Sequence, residues 1–217
     1  MNLLAIDTST EQASVALLFE GKLYQQQRGN FREHAQFILP MIDSLFSEAG
    51  CAIKQLDGVV FGRGPGSFTG LRIACSVAKG LAYAHDLPLY PVSSLQAIAC
   101  DADADVAVLS MIDARMGQVY WDVFYQGLTG QEERVTEASD VQCKTGHDIV
   151  LAGFGFEAYY ASLPDTVKSQ VIDKRVLFPD ASAMIRIVKQ GLCQSVTADA
   201  AQPVYVRNQV THGGSNG

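Results

Sequence analysis

Alternating and continuous apolar runs at the start of the chain predict three strands in quick succession. Leu3 to Ile6 is a buried strand, and Asp7-Thr8-Ser9-Thr10 is a polar turn after it. Ser14 to Phe19 is a second strand, Glu20-Gly21 a tight turn, and Lys22 to Arg28 the returning third strand, so the three form an antiparallel meander. From Arg32 to Gly50 the period changes. Phe37, Ile38, Met41, Ile42, Leu45, Phe46 and Ala49 recur at helical spacing, and Gly50 ends the helix. Pro40 predicts a kink or a late helix start, because it has no backbone N–H to give.

The next unit is a strand, Val59 to Gly62, a glycine-rich loop through Gly70, and a helix from about Gly70 to His85. That helix carries small residues on several faces, which lets backbones approach it from more than one side. Leu89 to Val92 is a further strand, and Ser93-Ser94 caps a short helix through Cys100. The polar link Asp101 to Asp105 is the expected subdomain boundary, giving an N-terminal unit over 1–104 and a smaller one over 105–217.

Beyond the link the pattern restarts. Val106 to Ile112 is a strand ending at Asp113, and Gln118 to Tyr125 is the next, closed by Gln126-Gly127. Ile6-Asp7 and Ile112-Asp113 are 106 residues apart, and so are Glu20-Gly21 and Gln126-Gly127. Later, Ile149 to Gly155 echoes Val59 to Gly64 as a strand followed by G-x-G. This is an internal repeat, and two similar halves about a cleft are the economical arrangement. Pro179-Asp180 opens a helix through Leu192, Pro203 to Arg207 is a short extended segment, and Thr211 to Gly217 is a polar tail.

Composition narrows the function. With 217 residues and 48% hydrophobic content, the chain has enough apolar surface for a substantial α/β core. The N-terminus meets an acid at Asp7 and has no basic leader, and no apolar run reaches the ~18 residues of a membrane span, so a cytoplasmic protein is expected. The net charge of −7 and the lack of a Lys/Arg cluster argue against unaided nucleic-acid binding. Five cysteines without C-x-x-C spacing, and four histidines scattered singly, point to reduced thiols and to no metal site.

Candidate chemistry centres on two places. Asp7 and its counterpart Asp113 would face each other across a cleft and hold Mg²⁺, or Asp7 simply caps its own turn. The loop Gly62 to Gly70 is neither a Walker A motif, for want of a Lys, nor a Rossmann fingerprint, since Ser67 stands where Gly is needed. Its backbone amides from Gly64 to Gly70, those of Gly66, Ser67 and Thr69 among them, could cradle an anion, with Arg63 and Arg72 flanking them. The other reading is a tight turn for close helix–strand packing, with Ser67 or Thr69 as N-cap. Ser9, Ser67, Cys75 and Ser94 have no His nearby in sequence, and Tyr120, Trp121 and Phe124 read as core and sheet surface.

Three stretches, Leu4-Ala5-Ile6-Asp7-Thr8-Ser9, the string Gly62-Arg63-Gly64-Pro65-Gly66-Ser67-Phe68-Thr69-Gly70-Leu71-Arg72, and Pro203-Val204-Tyr205-Val206-Arg207, resemble the TsaB (YeaZ) family. The resemblance implies the actin-like ATPase (ASKHA, ribonuclease H-like) fold. It also implies a role in forming threonylcarbamoyladenosine (t6A) at position 37 of tRNAs reading ANN codons. In that pathway the TsaB protein is a non-catalytic paralogue and partner of the transferase TsaD, a TsaE ATPase joins the complex, and tRNA is met only through the complex. TsaD-like chains carry a His-x-x-x-His metal pair. Aligned on Val92, this chain has Ser94 and Ile98 there, a poor ligand and no ligand at all.

The resemblance further implies that the first long helix and the helix after the loop form the partner surface, with self-association when the partner is absent. Phe37, Ile38, Met41, Ile42, Leu45, Leu71, Ala74, Cys75, Ala78 and Ala82 are the expected contact residues. No catalytic residue, metal or cofactor is expected, and any ATP binding at Asp7 and the loop is weak or vestigial. The competing expectation is an active actin-like phosphotransferase using Asp7, Asp113 and the loop. No credible peptidase constellation is present.

Overall fold

Two five-stranded sheets carry the fold in the computed structural model, which describes residues 1–29, 33–125 and 128–206. The first sheet contains β1 (Leu3–Asp7), β2 (Gln12–Phe19), β3 (Lys22–Gly29), β4 (Gly58–Gly64) and β5 (Leu89–Ser93) in the order β3-β2-β1-β4-β5. β1, β2 and β3 form the antiparallel meander, and β4 and β5 add in parallel. The second contains β6 (Ala107–Arg115), β7 (Gln118–Phe124), β8 (Arg134–Glu137), β9 (Ile149–Phe154) and β10 (Val171–Val176) in the order β10-β9-β6-β7-β8. Read from β8, that is the same order with the same strand directions. The internal repeat is therefore a repeat of topology. β8 and β10 have no counterpart in the sequence reading. The turn at Gln126-Gly127, Arg32, Arg207 and the tail from Thr211 lie outside the described residues.

Alternation along the strands decides what each sheet face buries. Leu4, Ile6, Val15, Leu17, Val59 and Phe61 point to one side of the first sheet, where α1 (His34–Ala49) and α2 (Phe68–His85) cover them. Leu3, Ala5, Ala16, Leu18 and Val60 point to the other side, where α5 (Ala181–Lys189) covers them. In the second sheet, Val108, Ile112, Phe124, Val150 and Ala152 pack on α3 (Ser94–Ala102). The opposite face, with Leu109, Met111, Trp121 and Leu151, is closed by short turns and the four-residue α4 (Asp165–Lys168).

The helices thus cross over. α3 follows the first sheet in sequence but packs on the second, and α5 follows the second but packs on the first. A division at 104/105 does not match two self-contained cores, because each lobe is finished by a helix from the other half. Asp180 caps α5 through Ser182 and Ala183 and also accepts hydrogen bonds from Ser14 on β2 and Gln27 on β3, which pins the crossing helix to the first sheet.

Pro40 lies inside α1, which begins at His34, so the late start expected from the proline does not occur. Both Pro40 and Gln36, whose carbonyl loses its helical donor to the proline, are on the exposed face, where water satisfies that oxygen. After α5, residues 193–206 run back over the first lobe as a strap. It pairs Val196 with Leu89 and bonds Val204 N to the Arg63 carbonyl oxygen at 2.8 Å.

Candidate functional site

The glycine loop is pressed against the first hairpin turn. A Cβ on Gly70 would stand 1.8 Å from the Thr8 carbonyl oxygen, and one on Gly66 would stand 2.4 Å from that of Ser9. Gly64 takes a φ of 108°, reserved in practice for glycine, and a Cβ there would lie 2.9 Å from the strap's Val204 carbonyl oxygen. The turn and the loop also share hydrogen bonds. Thr8 Oγ1 donates to the Gly70 carbonyl oxygen at 2.7 Å, and Ser67 N donates to the Ser9 carbonyl oxygen at 2.7 Å.

Ser67 is the N-cap of α2. Its Oγ accepts from Gly70 N at 3.3 Å, and Thr69 is exposed. The Ser67 and Gly70 amides, two of those an anion would need, are therefore already used. Arg72 does not face the loop amides either. Its guanidinium lies over the Phe68 ring at 3.8 Å, and its Nε donates to Tyr205 Oη at 3.2 Å. The Phe68 and Tyr205 rings pack tilted at 38°, with 5.3 Å between ring centres. The tight-turn reading of this loop describes its geometry.

Asp7 has no exposure at all. Its Oδ1 accepts from Ser9 N at 2.9 Å and Ser9 Oγ at 2.8 Å, while Oδ2 meets no hydrogen-bond partner among the described residues. Burial pushes its carboxyl up to about 7 against the pull of the Ser9 hydrogen bonds, with the charge on Asp180 adding to the rise.

Asp113 repeats the same turn chemistry, accepting from Arg115 N at 2.7 Å, but it sits at the cleft. Its oxygens are also taken by Tyr159 Oη at 2.8 Å and Arg115 Nη1 at 3.2 Å. The expected pair of acids facing each other across the cleft is not formed. Asp7 is sealed behind Gly62, and Asp113 is engaged by its own lobe.

The cleft between the lobes has a volume of about 820 Å³. Apolar and aromatic side chains dominate it, among them Phe68, Leu71, Tyr120, Phe154 and Tyr205, with Glu11 and Arg115 forming a 2.9 Å ion pair across it. The positions aligned with a metal pair do not suit a metal. Ser94 and Ile98 are wholly buried, Ile98 among Leu95, Val108 and Ile112, and its side chain offers no donor atom. Among the described residues, no three His, Cys, Asp or Glu side chains are grouped to hold a metal ion.

The expected contact residues on α1 and α2 need correcting. Ile38, Met41, Ile42, Leu45, Leu71, Ala74, Cys75, Ala78 and Ala82 are buried in the chain's own core, and Phe37 is half-buried under Arg28. The surplus small-residue face of α2 is covered by the strap. Cys75 Sγ and Lys79 Nζ both reach the Ala201 carbonyl oxygen, and Ala198 and Val196 pack beside it. What the two helices leave open is a shallow groove of about 420 Å³ between them, lined by Ala35, Leu39, Phe68, Ile73, Ser76 and Val77. Leu39 and Phe68 are more than half exposed there, at 53% and 54%. Leu39 falls off the main apolar stripe of α1, which is the sequence signal that it faces outward.

A duplicated α/β architecture with crossed helices, in which the cleft turns and the glycine loop are retained, defines a protein of the actin-like ATPase class. The family model for TsaD, tRNA N6-adenosine threonylcarbamoyltransferase, matches residues 28–203. The chain belongs to the TsaB (YeaZ) family, a branch of the wider family that this model describes.

It is 36% identical to the Escherichia coli K12 tRNA threonylcarbamoyladenosine biosynthesis protein TsaB, over 97% of this chain and 96% of that protein. The Haemophilus influenzae protein of the same description is 34% identical, over 97% of this chain and 95% of its own length. The solved structure of YeaZ from Pseudomonas aeruginosa superposes with a TM-score of 0.84 at 37% identity, covering 94% of this chain and 99% of that one. A second solved structure, described as an uncharacterised protein with similarity to peptidase YeaZ from Pseudomonas aeruginosa, gives 0.87 at 36% identity, with 95% and 99% covered.

Proposed function

We propose that this chain takes part in t6A biosynthesis as the non-catalytic subunit that docks on and activates a TsaD-like threonylcarbamoyl transferase, acting on position 37 of tRNAs that read ANN codons. The observation that carries this reading is the closure of the glycine loop on the first hairpin turn. A loop with the glycine pattern of a phosphate cradle is here a packing joint, with Gly66 and Gly70 against the Ser9 and Thr8 carbonyl oxygens. The sealed Asp7 and the Ser94/Ile98 pair support it.

The docking surface in this reading is the groove between α1 and α2, with Leu39, Phe68, Ile73 and Val77 supplying apolar area and Arg72 a polar rim. The same groove serves self-association when the partner is absent. A TsaE-like ATPase joins the assembly. The chain's charge of −7 fits tRNA contact through the partner and not through this subunit. Such a protein works in the cytoplasm, and no helix among the described residues is long and apolar enough to cross a membrane.

The active-phosphotransferase alternative would need Asp7 in the cleft. The peptidase description of one relative would need an activated nucleophile. Here the buried His34 places Nε2 3.0 Å from the Thr10 carbonyl oxygen. The deciding experiment is a reconstitution. The TsaD-like partner should form t6A on tRNA only when this chain is added, while calorimetric titration of ATP–Mg²⁺ into the isolated chain gives no micromolar binding. Nucleotide turnover by the isolated chain would reject the reading.

A further inference from the structure

Arg63 belongs to the glycine loop by sequence, yet its side chain leaves the loop and crosses to the other lobe. Its Nη1 and Nη2 donate to Glu133 Oε2 and Oε1 at 3.0 and 2.8 Å, a two-pronged pair. The side chains are only 26% and 13% exposed. Arg63 sits at the end of β4 and Glu133 just before β8, so the pair joins the two sheets.

The backbone of Arg63 is fixed independently of the pair, in the β4 strand and by the strap's Val204 N–H on its carbonyl oxygen. Glu133 is carried by a turn that the buried Asp122 organises. Asp122 Oδ1 accepts from the amides of Val123, Gln131 and Glu132, at 2.7, 3.2 and 3.2 Å. Both partners are therefore held in place before they meet, which is the condition under which a guanidinium–carboxylate fork keeps most of its attraction. Other ion pairs between the lobes, Glu11 to Arg115 and Asp101 on α3 to Arg186 on α5, are of another kind. They have 47% and 70% and 32% and 45% exposure, and salt screens them.

We propose that the Arg63–Glu133 pair is a latch that holds the two lobes at one fixed angle, converting a hinged cleft into a rigid body. The loop arginine is held on the opposite lobe. The latch keeps the cleft turns at Ser9–Glu11 and Asp113–Arg115 opposed whatever the state of the exposed pairs. This inference stands apart from the assignment of a partner, because it concerns the isolated chain.

Hydrogen exchange read by mass spectrometry on the full chain tests it. Arg63→Gln and Glu133→Gln should each speed exchange in peptides covering residues 9–12 and 112–116, away from the substituted positions, by roughly five- to tenfold, as expected for loss of one shielded pair. The charge-swapped double variant Arg63→Glu/Glu133→Arg should return exchange toward the wild-type rate. Wild-type chain in 0.5 M NaCl, which screens the exposed pairs far more than the shielded one, should exchange as it does at low salt. Unchanged exchange in those peptides in both single variants would overturn the latch. So would single variants that fold with faster exchange but a swapped variant that folds and shows no recovery.

Discussion

Asp7 Oδ2 occupies the space that a side chain at residue 62 would need. A Cβ placed on Gly62 would stand 1.8 Å from it, with Met184 of the crossing helix 3.2 Å away on the other side. The carboxyl is locked in an interior where, among the described residues, only Ser9 answers it, and its high pKa follows from that enclosure.

The sign of its pH effect is fixed. Asp7 keeps its proton in the folded chain up to about pH 7, whereas the unfolded chain releases it near the ordinary value of 3.8. Between those values the folded state binds more protons, so stability falls as pH rises through the window and stays reduced above it. Asp7→Asn, which keeps an acceptor for Ser9, should therefore gain on the wild type between pH 5 and pH 8 by about 1–3 kcal/mol. Urea midpoints at the two pH values measure this, and an equal offset at both would contradict it.

Asp180 has the opposite linkage. Burial pushes it up, but the hydrogen bonds from Ser182, Gln27 and Ser14 prevail and hold it below its ordinary value. Its contribution is present above the unfolded pKa and is lost as pH falls through the folded one. Asp180→Ala removes a helix cap and strands buried partners, at a cost of roughly 2–4 kcal/mol near neutral pH. Chemical denaturation reads that loss. Carboxyl NMR of Asp180→Asn should also show Asp7 titrating lower, since one nearby charge is gone.

Gly70→Ala should be among the most damaging small substitutions in the chain, because the added methyl meets backbone and not a side chain that can swing away. A loss of more than ~3 kcal/mol, or failure to fold, is expected. Gly66→Val should follow the same course. Circular dichroism and a denaturation curve decide. A folded Gly70→Ala chain of wild-type stability would show that the loop and turn are not packed as described.

Docking should be lost from the groove and not from the core beneath it. Leu39→Arg and Ser76→Arg, both on exposed faces, should leave the fold intact and abolish capture by the TsaD-like partner in a pull-down. Ala78→Arg, at 0% exposure, should instead unfold the chain. Partner capture at wild-type level by both groove variants would move the interface elsewhere.

The sequence pattern carried the fold a long way and the site less far. The meander and the helices α1 and α2 were legible because each rests on local periodicity, and the repeat from Asp7 to Asp113 because the same local pattern recurs at a constant offset. β8 and β10 were not. They are short or exposed edge strands, and residues such as Glu137, Asp173 and Lys174 hide their alternation. The TsaB likeness was readable from the loop itself.

What the loop touches was not readable. The partners of Gly66, Gly70 and Arg63 lie about 60 to 70 residues away, and nothing local names them. The error over Ala78 and Ala82 has one cause. The resemblance placed the small-residue faces of α2 at a partner surface, and the chain supplies its own strap over them, through Ala198 and Ala201.

The crossed helices set a condition on synthesis. β5 ends at Ser93, so all strands of the first sheet exist by then, yet the face carrying Leu3, Ala5, Ala16 and Leu18 waits for α5, which begins at Ala181. On a translating ribosome that face stays uncovered while the whole second sheet is being made. At elongation rates of about 5–20 residues per second, the nascent chain carries an apolar surface for several seconds, long enough for a holding chaperone to engage it.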